Sequence, residues 1–297
     1  MSCTVKVNTD AADSLFVVHS GRVHDVALSW QQAAVLTAVL AVLATALTFA
    51  PATRATLLAP FAREATLISG LYALWQLAGT LSVTGTSRAL SRAEWIERTE
   101  RTLHLPSEAG MQRALTGSST FTQAANLYYA TMHFGVLFVF LIWLFVWHRD
   151  RYPKVRRVLA LTTLVCLLLQ LIPVAPPRML PGYVDTAAQF GQSVYGAGFN
   201  ADQLSAMPSV HVAWAVLIGW AVARIAHGPW RWLGAAHAVL TTLIIVITAN
   251  HWWADGIVAV AVLAICAALE DTAYRVLARL RVRTEPSPAM AEAGAIS

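Results

Sequence analysis

Seven stretches of this chain are each apolar and long enough to cross a bilayer as a helix, and no other feature restricts its fold as strongly. A helix rises about 1.5 Å per residue, so about 20 residues cross a hydrocarbon core roughly 30 Å thick. The stretches are 29–50, 65–83, 125–147, 157–176, 209–226, 232–250 and 252–271. Several hold a polar residue, yet the average run stays apolar. Composition agrees. Of 297 residues, 57% are hydrophobic and 12% charged, with a mean hydropathy of +0.56. A soluble domain carries roughly 25% charged residues. The predicted fold class is all-α, a polytopic transmembrane bundle of six to seven spans with amphipathic interfacial helices.

Residues 1–28 lack the basic start, short apolar core and cleavage site of a secretory signal and read as an N-terminal tail. Residues 29–275 form the expected membrane-embedded domain, with its core at about 125–271. Residues 276–297 form a basic tail whose end, "RTEPSPAMAEAGAIS", reads as disordered. The stretch 86–118 holds five arginines and four glutamates. With Leu90, Ala93, Trp95 and Ile96 as a partial apolar stripe, it is expected to form one or two amphipathic helices on the outer face.

Two basic clusters orient the chain. Arg149, Arg151, Lys154, Arg156 and Arg157 lie within 148–157, and Arg275, Arg279, Arg281 and Arg283 follow the last run. Both belong in the cytoplasm by the positive-inside rule. Residues 177–208 and the junction near 251 then lie outside, on the extracytoplasmic face of an expected plasma-membrane protein. These loops account for the net charge of +5, so no nucleic-acid partner is expected. Cys3, Cys166 and Cys266 show no metal or disulfide spacing and read as apolar fillers.

The ionisable groups that remain cluster at the ends of apolar runs. His211 opens one in "AMPSVHVAW", and "ANHWWADG" sets His251 and Asp255 four apart at the start of another. Gly228-Pro229 breaks the interval between the histidines, so two antiparallel spans return both to the same interface. At i and i+4, Asp255 can accept from one ring nitrogen of His251 and leave the other as an outward lone pair. An imidazole nucleophile needs that arrangement. Arg178, stiffened by Pro176-Pro177, can grip two phosphate oxygens at once. His133 and Tyr129, with Asn126, are candidates to line a head-group pocket. His237 reads as a structural hydrogen-bonder, and Trp252 and Trp253 as interfacial belt residues.

With "PPRML", "AMPSVHVAW" and "NHWWAD" in this order, the chain resembles the type 2 phosphatidic acid phosphatase superfamily. It is most similar to the inositolphosphotransferase branch, which contains inositol phosphorylceramide synthase. The resemblance implies phosphoryl transfer through a phosphohistidine, with no metal and no cofactor. By position it makes His251 the nucleophile, Asp255 its orienting carboxylate and His211 the acid that protonates the leaving oxygen. Ser209 becomes a phosphate ligand at a helix N-terminus, where backbone N–H groups favour an anion. The implied substrate is a phospholipid or polyprenyl phosphate, with inositol or water as acceptor.

Leu171 and Ile245 stand where the wider superfamily carries Lys and Arg, and Asn250, on the substrate side, precedes the nucleophile. Fewer cations favour a phosphodiester over a phosphomonoester. Two other classes stay open: a zinc hydrolase using His211, His251 and Asp255, and a lipid-binding or transport protein without turnover.

Overall fold

The computed structural model describes residues 28–49, 52–82, 86–193 and 203–284. Residues 1–27 with Cys3, and the tail from 285, lie outside them. Every described regular element is a helix: α1 (Trp30–Ala46), α2 (Ala52–Ser82), α3 (Thr86–Thr102), α4 (Glu108–Thr116), α5 (Ser119–Trp147), α6 (Tyr152–Leu169), α7 (Thr186–Gln189), α8 (Val210–Ile225), α9 (Arg231–Ile247) and α10 (Trp253–Thr284). The all-α class is as expected.

Each of the seven apolar stretches falls for the most part in a helix, but they are not equivalent. Among the described residues, four helical segments are long and apolar enough to cross a membrane: 30–49, 119–147, 228–247 and 253–280. Helix α8 is apolar but shorter. Helices α2 and α6 carry charges within them, among them Arg63 and Glu64 inside α2 and Lys154, Arg156 and Arg157 in the first turns of α6. Several boundaries differ from expectation, among them the starts of α2 at Ala52 rather than 65 and of α5 at Ser119 rather than 125. Helix α6 stops at Leu169 rather than 176, because the chain turns at Gln170, whose amide donates to the Pro208 carbonyl (2.9 Å). Helix α10 runs to Thr284, past the expected domain edge at 275.

Helices α8 and α9 form a closely packed hairpin. A Cβ on Gly219 would stand 2.9 Å from the Gly234 carbonyl oxygen, and one on Gly234 would stand 2.9 Å from Val222 Cβ. Small residues let two helix backbones approach where lipid supplies no hydrophobic drive between helices. Tyr128 of α5 braces this hairpin through His237 Nδ1 (3.1 Å) and Thr241 Oγ1 (3.0 Å) of α9, the structural bonding expected of His237.

At the end of the bundle that carries the α5–α6 turn, Lys154 pairs with Asp271 and Arg157 with Glu270 of α10, while Arg156 pairs with Glu64 of α2. The two basic clusters therefore share one end. His211, His251 and Arg178 sit at the other.

Helices α3 and α4 lie at the histidine end. The buried stripe of α3 is Ala89, Ala93, Ile96 and Glu100, whereas Trp95 points outward at 62% exposure. The expected stripe was thus right at Ala93 and Ile96 and wrong at Trp95. Trp252 also departs from expectation. It is fully buried among Ala89, Ala93, Val174 and Ala206 and donates its indole N–H to the Ala175 carbonyl (3.0 Å). It is a core peg rather than a belt residue.

Candidate active site

Helix α9 ends in a left-handed turn that aims His251. Thr248 is the C-cap, and Ala249 follows at φ +55°. The Ala249 amide donates to Val246 O (2.9 Å) and the Asn250 amide to Ile245 O (3.0 Å), the paired bonds of a Schellman ending. Glycine is the usual residue there. An alanine in this conformation costs on the order of 1–3 kcal/mol and persists only where its surroundings enforce it. Here the Arg178 amide donates to the Ala249 carbonyl (2.9 Å) and the residue is fully buried.

His251 follows immediately, with its Nδ1 2.8 Å from the Ala206 carbonyl oxygen and 3.2 Å from Asp255 Oδ2. A carbonyl oxygen can only accept, so Nδ1 carries the proton and Nε2 holds the lone pair. Spacing alone assigned this task to Asp255, but the shorter contact is to the backbone of the 203–208 segment. That segment is held in turn by Val174 N donating to Leu204 O (2.7 Å) and Ala206 N donating to Val174 O (3.2 Å). Asp255 is fully buried and does more than orient the ring. Its Oδ2 also accepts from Trp252 N (2.9 Å), and its carbonyl accepts from Ser209 N (3.2 Å), joining the starts of α8 and α10.

Ser209 is the N-cap of α8 and accepts from Val212 N (3.4 Å). His211, in the first turn above it, stands with its ring centroid 5.5 Å from that of His251. The two histidines therefore face each other, as the hairpin reading requires. Tyr129 stacks on His211 (4.8 Å), and His133 lies 4.2 Å from it, its Nδ1 3.1 Å from Tyr129 O. His211 thus has the rings of Tyr129, His133 and His251 around it.

Arg178 sits in a short turn, Pro177–Met179, and is buried. Its Nη1 donates to Asn250 Oδ1 (2.8 Å), and its Nε lies 3.4 Å from Asp185 Oδ2. Asn250 thus meets the arginine, and its own amide donates to Thr248 Oγ1 (2.9 Å). Asn126 departs from its expected pocket-lining position. It accepts from Thr186 Oγ1 (2.9 Å) and donates to Gln192 Oε1 (3.1 Å), pinning the segment that carries Asp185.

A family profile described as the PAP2 superfamily matches residues 94–269, more than half of the chain. The chain belongs to the PAP2 superfamily. Membership carries a phosphatase or phosphotransferase type of activity on a lipid phosphate, and the four long apolar helices make this superfamily member a membrane protein. No curated protein and no solved structure matches the chain significantly.

Two site neighbours of this PAP2 member escaped sequence reasoning: Asp185 beside Arg178, and Glu100, whose Oε1 accepts from Ala254 N (2.6 Å). A "VDT" tripeptide carries the helix-capping signature of Asp185 but nothing that points to an arginine. Glu100 sits in a strongly charged helix where a solvated carboxylate is the ordinary expectation.

Proposed function

We propose that this protein cleaves a phosphate ester of a membrane lipid through a phosphohistidine on His251, without a metal, and passes the phospho-group to inositol or water. The observation that carries the reading is the fixed tautomer of His251, held at Nδ1 by Ala206 and Asp255 with Nε2 left as a nucleophile beside His211. Nε2 attacks phosphorus as the bond to the lipid oxygen breaks, and His211 gives that oxygen its proton. An acceptor hydroxyl then attacks phosphorus, His211 takes its proton, and the P–N bond breaks. Asp255 offsets the positive charge on His251 in both steps. Arg178, the Ser209 hydroxyl and the first N–H groups of α8 hold the equatorial oxygens in this reading, where charge gathers. His133 and Tyr129 back His211 and border the head group.

The inositolphosphotransferase branch and a phosphodiester substrate fit best. Leu171 and Ile245 add no cation, and Asp185 offsets part of the charge of Arg178. On the positive-inside rule, the site faces the extracytoplasmic side of the plasma membrane.

The test separates the histidines by role. Purified protein is given a panel of labelled phospholipids with and without inositol, after exhaustive chelation. Turnover abolished by H251A supports the reading. Loss of turnover on chelation would favour a zinc hydrolase, and binding without turnover a carrier. On a nitrophenyl phosphate ester, whose phenolate leaves unprotonated, H211A should recover much of the ~10² to 10⁴-fold that general acid catalysis contributes on the lipid. H251A should recover none. Recovery in H251A instead would reverse the two roles.

A further inference from the structure

We infer that Glu100 of α3, buried beside Glu108, is a positioning residue that seats the turn bearing His251 and Asp255. This inference rests on the phosphohistidine reading above.

The first N–H groups of a helix have no partner within it. At the start of α10 two of them are capped by acids from different places: Trp252 N by Asp255 of the same turn, and Ala254 N by Glu100 from α3 (2.6 Å). The cap therefore comes from outside the helix and fixes where α10 begins. Neighbouring contacts agree in direction. Trp253 Nε1 donates to the Pro106 carbonyl between α3 and α4 (2.8 Å), Ala175 N donates to Ala89 O of α3 (3.2 Å), and Arg92 Nη1 donates to Pro173 O (2.8 Å). Helix α3 thus grips both the His251 turn and the segment that leads to Arg178.

Glu100 and Glu108 are both buried, and Glu100 Oε2 and Glu108 Oε1 have no hydrogen-bond partner. The titratable groups that face Glu100 are Glu108 of α4, Asp255 of α10 and Tyr183 of the 177–193 segment. None brings a positive charge. Burial, and then Glu108, push the Glu100 carboxyl up to about 9, so it is uncharged at neutral pH. Ionising it would set a second buried charge beside Asp255.

The test uses the full chain in detergent, with an alkyl nitrophenyl phosphate diester as probe, from pH 6 to 10. E100A, which loses the cap, should lower kcat by about 10 to 100-fold with little change in KM, the range seen when a supporting residue lets a reacting group drift. E100Q keeps the carbonyl acceptor and cannot ionise. It should restore kcat to within a few-fold and lack the decline in kcat expected of wild type above pH 9. A wild-type kcat in E100A, or an unchanged alkaline decline in E100Q, would overturn the inference.

A second readout needs no activity. Between the ordinary carboxyl value of 4.5 and about 9, the folded chain holds a proton that the unfolded chain has lost, so the stabilisation falls as pH rises across that window. The melting temperature of wild type should decline from pH 5 to 9 relative to E100Q. A flat difference would sink the inference by itself, even if E100A fails to fold. If instead wild type shows no turnover that H251A abolishes, the phosphohistidine reading falls, while this pH slope still judges the Glu100 contact.

Discussion

Asp185 places a carboxylate against the guanidinium that the proposed mechanism uses for phosphate. A phosphodiester brings one negative charge to that guanidinium, whereas a phosphomonoester near neutral pH brings close to two. D185N should therefore raise kcat/KM for a phosphatidate-like monoester relative to a diester by about tenfold, the ~1.4 kcal/mol of one moderately screened charge at this range. Competition kinetics with the two labelled lipids in one micelle would check it, and an unchanged ratio would remove Asp185 from specificity. His211, His251 and Asp255 were legible in the sequence because ionisable groups at the ends of apolar runs have few innocent explanations. Asp185 and Glu100 were not. Their importance lies in a partner 7 residues away in one case (Arg178) and 154 in the other (Ala254), across turns that no local pattern encodes. Asn250 shows the same limit, since its place beside the nucleophile was visible but its bond to Arg178 was not.

At the scale of elements, the proposed acid and nucleophile hang from the two ends of the α8–α9 hairpin, and the glycine crossing sets how close those helices run. G219A tests this directly. Alanine is intrinsically better in a helix by about 1 kcal/mol, but here its methyl would meet a backbone carbonyl at 2.9 Å, and overpacking costs about 1–3 kcal/mol. The expected net effect is a lower melting temperature and slower turnover. G135A in α5 is the matched control, because nothing lies within 4 Å of its added Cβ. It should leave the melting temperature unchanged or raise it. Equal behaviour of the two variants would mean that the crossing is not tight in solution. The hairpin itself could be read from Gly228-Pro229 and the apolar runs on either side. Its glycine contact could not, since Gly219 and Gly234 look like any other helix-interior glycines until the crossing point is known. The α6 ending was misread for a similar reason: "LIPVAPP" continues the apolar run in composition, while tertiary bonds from Gln170 and Val174 take the chain out of the helix.

For the whole molecule, the proposed orientation predicts opposite accessibility at the two ends. In a background without the native cysteines, Q189C on the segment after Arg178 should react with an impermeant maleimide in intact cells, and D150C in the α5–α6 turn only after lysis. Both positions are exposed. Labelling of D150C alone in intact cells would invert the topology. The all-α bundle was legible because lipid tolerates little else than helices with closed backbone bonding. The span count was less so, because α2 and α6 mix apolar turns with charges whose partners lie on other helices. Those partners also give the basic end two successive lives. Glu270 and Asp271 are synthesised more than a hundred residues after Arg157 and Lys154, so while α5 and α6 are being inserted these two cations are uncompensated by the acids that later bind them. They are then an address label that reads as positive. Once α10 arrives, the same charges pair across helices, and on the proposed orientation the label is spent in fastening the structure it helped to orient.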